Sequence, residues 1–183
     1  MSSTALLIID VQQGLDNPAF GERNNPQAES QMARLLSAWR ERAWPVIHVR
    51  HDSVEPNSPL RPELPGNAIK PEVLPNEGEP LFTKSVNSAF IGTKLETHLR
   101  EQGIAQLVIV GLTTDHCVST SVRMAANLGF DVTLVSDGTA TFERTAPDGT
   151  HFSAEQMHGV NLASLNGEFC RVLTTEAVLA EMD

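Results

Sequence analysis

The chain has few cysteines, no cluster of basic residues and no long apolar run, and each gap removes a class of protein. Its two cysteines, Cys117 and Cys170, are too few for a disulfide framework. Reduced thiols and a cytoplasmic setting are therefore expected. A formal net charge of −10 argues against nucleic acid or an anionic membrane surface as a partner. No charge-free apolar stretch approaches the length of a membrane span. Met1-Ser2-Ser3-Thr4 offers no basic leader, and the run Ala5 to Ile9 meets Asp10 at once, so no signal peptide is expected. There is no Gly-x-Gly-x-x-Gly fingerprint, no phosphate-binding P-loop and no zinc cluster, and no cofactor is expected.

What is present reads as one soluble globular domain over 1–183, with 40% apolar and 20% charged residues. Ala5-Leu6-Leu7-Ile8-Ile9 is a continuous apolar run, as in a strand buried on both faces. A helix starts near Pro26, with Met32, Leu35, Leu36 and Trp39 as its apolar stripe. Pro45 to Val49 is a second strand and Leu81 to Lys84 a short third one. Gly92 to Gln102 reads as a helix and Leu107 to Val110 as a fourth strand. Asp131 to Val135 is a fifth strand, and Phe169 to Leu173 a sixth. Ser153-Ala154-Glu155-Gln156 has the form of a capping box opening another helix, and a last helix spans roughly Thr175 to Met182. This alternation predicts a three-layer α/β/α sandwich with a mostly parallel six-stranded sheet. Between His51 and Pro80 the periodicity dissolves, and seven of the eleven prolines fall there. A stretch of this kind is expected to cover an edge of the active site or to form an oligomer contact.

The segment Ile109 to Thr120 organises the rest. Gly111 breaks the fourth strand, and a short turn delivers Cys117 to the start of a helix running to about Leu128. A thiol at the positive end of a helix favours the nucleophilic thiolate, and nearby N–H groups suit a negatively charged oxygen. In open parallel sheets ligands bind at the carboxyl ends of the strands. Asp10 follows the first strand, Lys84 ends the third and Cys117 lies just past the fourth, so an acid, an ammonium and a thiol share one rim.

These motifs resemble the isochorismatase-like cysteine hydrolases, the superfamily of nicotinamidase and N-carbamoylsarcosine amidohydrolase. The matching segments are Leu6 to Gln12, Lys84 with Ser88-Ala89-Phe90 and Thr93, Gly111 to Val118, and Val135-Ser136-Asp137. The resemblance implies an Asp10, Lys84 and Cys117 triad. It also implies a cis peptide between Leu112 and Thr113, with the backbone N–H groups of Thr113 and Cys117 as an oxyanion hole. The implied reaction is attack of Cys117 on a carboxamide or ureido carbon, release of ammonia or an amine, and hydrolysis of a thioester. Gln12, His51, Phe90 and His116 are candidates for contact with substrate. A homo-oligomer, dimer or tetramer, is implied as well.

Two departures narrow this reading. Nicotinamidases carry an Asp-x-His metal site after the second strand, whereas this chain reads Arg50-His51-Asp52-Ser53 there and has no further histidine until His98. No metal is expected. True isochorismatases lack the cysteine, so Cys117 favours a small amide or ureido substrate over an enol ether. An ether hydrolase and a non-catalytic metabolite-binding protein are the competing readings.

Overall fold

A computed structural model describes residues 4–182. Six strands form one sheet in the order β3-β2-β1-β4-β5-β8, and every neighbouring pair is parallel. They are β1 (Thr4–Ile9), β2 (Val46–His51), β3 (Leu81–Lys84), β4 (Gln106–Leu112), β5 (Asp131–Ala140) and β8 (Arg171–Leu173). Strands β6 (Arg144–Thr145) and β7 (His151–Phe152) form a small antiparallel hairpin that the sequence reading lacked. Among the described residues, five α-helices flank the sheet: α1 (Ala28–Glu41), α2 (Leu95–Glu101), α3 (Ser119–Asn127), α4 (Ala154–Leu165) and α5 (Thr175–Ala180).

The layers follow from the alternation of side chains in β1. Ala5, Leu7 and Ile9 face one core with Leu95 and Leu99 of α2, Val122 and Ala125 of α3 and Leu165 of α4. Leu6 and Ile8 face the other with Met32, Leu36 and Trp39 of α1 and Val178 of α5. Both faces of β1 are dry, which is why it reads as a run with no polar alternation. No helix among the described residues is long and apolar enough to cross a membrane.

Element ends shift where side chains compete for the backbone. Helix α1 begins at Ala28, because Asn25 adopts a left-handed φ of 44° and its carbonyl accepts from Ala28 N. Helix α2 begins at Leu95, after Gly92 turns at φ 73° and Thr93 Oγ1 accepts from Leu95 N. The capping box at α4 is formed, with Ser153 Oγ accepting from Gln156 N and Gln156 Oε1 from Ser153 N. Asp137 accepts from both the N–H and the hydroxyl of Thr175 and so fixes the start of α5. Gly111 has φ 138°, and a Cβ there would lie 2.1 Å from Ile9 O. Only glycine lets β4 run this close to the end of β1.

The proline-rich segment is ordered by two short 3-10 turns, Pro65–Asn67 and Pro71–Val73, and by pins at several points. Lys70 is buried and donates to Asp16 and, at 2.7 Å, to Glu29 of α1. Glu29 also accepts two bonds from Arg23. At the far end Glu79 accepts from Arg40 of α1 and lies 2.8 Å from His48 of β2. Gly14 and Gly66 meet backbone to backbone, since a Cβ on Gly66 would lie 2.9 Å from Gly14 Cα and 2.5 Å from Pro59 O.

Burial pushes the Glu29 carboxyl up, but Arg23 and Lys70 outweigh it and hold the group at about 2. A carboxylate depressed from 4.5 in the folded state stabilises the fold above that value. The gain disappears as pH falls toward about 2. The shift is worth roughly 3 kcal/mol. Urea unfolding should show the wild type losing that much more stability than Glu29→Gln between pH 5 and pH 2, roughly, with the segment 51–80 loosening first by hydrogen exchange.

Candidate active site

The carboxyl ends of β1, β2, β3 and β4 converge on one point. Asp10 leaves β1 with a φ of 53°, and its N–H remains bonded to Val49 O of β2. That left-handed turn is one an aspartate tolerates. Lys84 is the last residue of β3 and pairs in register with His51, the last of β2. Its ammonium is fully enclosed and donates to Asp10 Oδ2 at 2.6 Å, His51 Nδ1 at 3.0 Å and Cys117 Sγ at 3.4 Å. Asp10 Oδ1 has no hydrogen-bond partner among the described residues.

Cys117 lies inside a π-helical turn, Thr114–Val118, and α3 begins only at Ser119. The peptide between Leu112 and Thr113 is cis, as the sequence resemblance implies. Asp115 ties the turn down: it accepts from Thr113 Oγ1, Thr141 Oγ1 and Arg144 Nε. These donors outweigh its burial and hold the carboxyl below the ordinary range. From the other side Thr114 Oγ1 lies 2.9 Å from His158 Nδ1 of α4.

The surroundings of the sulfur oppose the thiolate that its place at a helix start suggests. Burial and the negative charge of Asp10 push the Cys117 thiol up to about 12, against the opposing pull of Lys84. The sulfur sits in the turn that precedes α3, and its desolvation there favours the neutral thiol. Burial also raises Asp10, with Lys84, then hydrogen bonding with the Cys117 thiol, and then His51 pulling it back. Burial thus opposes charge on both groups, and the Lys84 ammonium that donates to each favours it.

Above these groups opens a cavity of about 280 Å³. Leu15, Phe20, Leu60, Leu112 and Phe142 supply apolar walls, with Phe20 and Phe142 stacked at 5.2 Å. Ser58, Asn87, His116 and Arg144 are its polar points beside Asp10, His51, Thr113 and Cys117. Ser58 and Leu60 come from the proline-rich segment, which thus covers one edge of the cavity. His116 reaches it with an exposed side chain. Phe142 comes from this same chain and is buried, while His151 stays outside, near Glu143.

Two candidates sit elsewhere. Gln12 is completely buried, and its amide bonds both the N–H and the carbonyl of His51 as a neighbouring strand would. It is not itself among the residues that line the cavity. Phe90 packs toward Phe130 in the core, with ring centroids 6.1 Å apart. Arg144 and His158 were not singled out from sequence. His158 falls at helical spacing from buried Ala154, and a histidine on an apolar face was the available signal. Arg144 left none.

An Asp10 oxygen, a His51 ring nitrogen and Cys117 Sγ lie within 4.8 Å of one another, a possible metal donor set. The Lys84 ammonium already donates to all three, and a cation would have to displace it. Asp52 is equally engaged, accepting from Arg50 and Asn67. The residues do not fit a metal centre of the nicotinamidase kind.

The model of the isochorismatase domain matches residues 4–177. The chain belongs to the isochorismatase family. This family member is 46% identical over 175 residues to the uncharacterized isochorismatase family protein YrdC of Bacillus subtilis, covering 96% of this chain and 94% of that one. A crystal structure of a hydrolase of the family from Chromobacterium violaceum superposes with a TM-score of 0.94 at 52% identity, covering 98% of this chain and 93% of that one. The ureidoacrylate amidohydrolase RutB of Agrobacterium fabrum is 28% identical over 219 residues, covering 98% and 94% of the two chains. The family and its relatives make this protein a hydrolase.

Asp115 is buried among three donors, and its loss leaves Arg144 unpaired and the turn carrying Cys117 untied. Asp115→Ala should cost about 2 kcal/mol in urea unfolding, the range for leaving buried hydroxyl donors without their acceptor. Asp115→Asn, which keeps an acceptor for the two threonines, should cost less.

Proposed function

We propose that the protein is a cysteine amidohydrolase that cleaves a small carboxamide or ureido C–N bond through a thioester on Cys117. The observation behind this reading is the Lys84 ammonium bonded at once to Asp10 and Cys117, with Asp10 Oδ1 left open. The thiol is protonated at rest, so its proton moves to Asp10 as the sulfur attacks the carbonyl carbon. Lys84 steadies the charge on the sulfur during that transfer. The N–H groups of Thr113 and Cys117 receive the developing oxyanion. Collapse breaks the C–N bond, and Asp10 returns the proton to the departing amine. Water then gives a proton to Asp10, attacks the thioester and releases the acid, and the thiol recovers its proton.

The apolar walls and few polar points suit a compact amide with an apolar body. The ureido C–N cleavage in RutB's name supports the same bond class. An enol-ether substrate gives the sulfur no acyl carbon to hold.

Ammonia release should appear with at least one member of a panel of small primary carboxamides and N-carbamoyl compounds. Cys117→Ala and Asp10→Asn should each abolish it, by about 1,000-fold or more. Turnover of isochorismate with no amide turned over would overturn the reading.

The pH profile carries a second expectation. Because Asp10 must be ionised to take the proton and burial raises it, kcat/KM should fall on acidification at a pH above the ordinary 3.8 of an aspartate. A reactive thiolate would instead impose a limb near pH 7, roughly. Stopped assays across the pH range separate the two.

A further inference from the structure

We infer that His51 is a positioning residue for Lys84: its neutral imidazole takes the third N–H of the ammonium and so aims the other two at Asp10 and Cys117. The inference rests on the reading of Cys117 as nucleophile.

An ammonium has three donors and no acceptor. Lys84 spends one on Asp10, one on Cys117 and one on His51 Nδ1, at 3.0 Å. Nδ1 must therefore accept, and the ring proton sits on Nε2. The Val86 backbone beside the ring acts in the direction of a protonated ring. The ring is neutral because burial and the charge of Lys84 outweigh Asp10 and Asp52 and depress its basicity.

The backbone holds this imidazole in place. His51 and Lys84 are register partners in adjacent parallel strands. The Gln12 amide bonds both backbone groups of His51, and Asn67 Nδ2 adds a third bond to the same carbonyl. A lysine on a flexible four-carbon stem gains direction from such a fixed acceptor. The bond to Cys117 is the longest of the three at 3.4 Å, so it is the first to suffer when the ammonium tilts. A neutral acceptor suits the place better than a second carboxylate, whose charge would push the thiol higher still.

The test is the second-order rate of Cys117 alkylation by iodoacetamide in the full chain, read by peptide mapping against Cys170 from neutral to alkaline pH. His51→Leu removes the acceptor. His51→Asn retains one, its Oδ1 standing where Nδ1 stands. His51→Leu should slow Cys117 by about tenfold, the loss of one hydrogen bond to a charged group, while His51→Asn stays within about threefold of wild type. Equal rates in His51→Leu and wild type, or His51→Asn falling as far as His51→Leu, would overturn the inference and leave the nucleophile in place. Cys117→Ala turning over the amide panel at the wild-type rate would overturn the nucleophile reading itself. Ring nitrogen shifts of His51 in wild-type protein give a check that needs no variant. The Nε2–H tautomer at neutral pH is expected, and an Nδ1–H tautomer or a charged ring refutes the assignment.

Discussion

A buried ammonium is the constraint around which this molecule is arranged. Lys84 is enclosed by protein, and an unpaired charge there would be ruinous to stability. Its three acceptors arrive from three other segments: the exit of β1, the last residue of β2 and the turn after β4. A parallel sheet delivers this convergence because all its carboxyl ends lie on one edge. The arrangement also sets the protonation pattern. Removing water raises both the carboxyl and the thiol, and the Lys84 ammonium between them pulls both back.

Much of this was legible in the chain. Both faces of β1 are covered, so Ala5 to Ile9 announces itself as an unbroken apolar run. Asp10, Lys84 and Cys117 could be grouped because each closes or follows a strand, and strand ends are easily read. Their protonation could not be, because it depends on desolvation and on neighbours distant in sequence. Gln12 and His51, 39 positions apart, show the same limit. A buried glutamine amide standing in for a strand partner leaves no periodic trace. Phe90 was drawn toward the substrate by its motif, while its ring belongs to the core. Arg144 lies on a two-residue strand too short to register as an element.

The proline-rich segment shows how a stretch without periodicity becomes a rigid wall. Its order comes from point attachments: Lys70 to Glu29, Glu79 to Arg40, Asn67 to the end of β2. None is a local interaction, and proline restricts the backbone between them. The same segment thus has little secondary structure and yet a fixed relation to the cavity.

The meeting of Gly14 with Gly66 ties two jobs together within that wall. A Cβ on either glycine would strike main-chain atoms of the other, and one on Gly14 would also lie 2.9 Å from Leu60 Cδ2. Leu60 lines the cavity as well. Mooring and recognition therefore share a side chain. Adding a single methyl group at the mooring would shift the wall and, with it, the apolar face that a substrate meets.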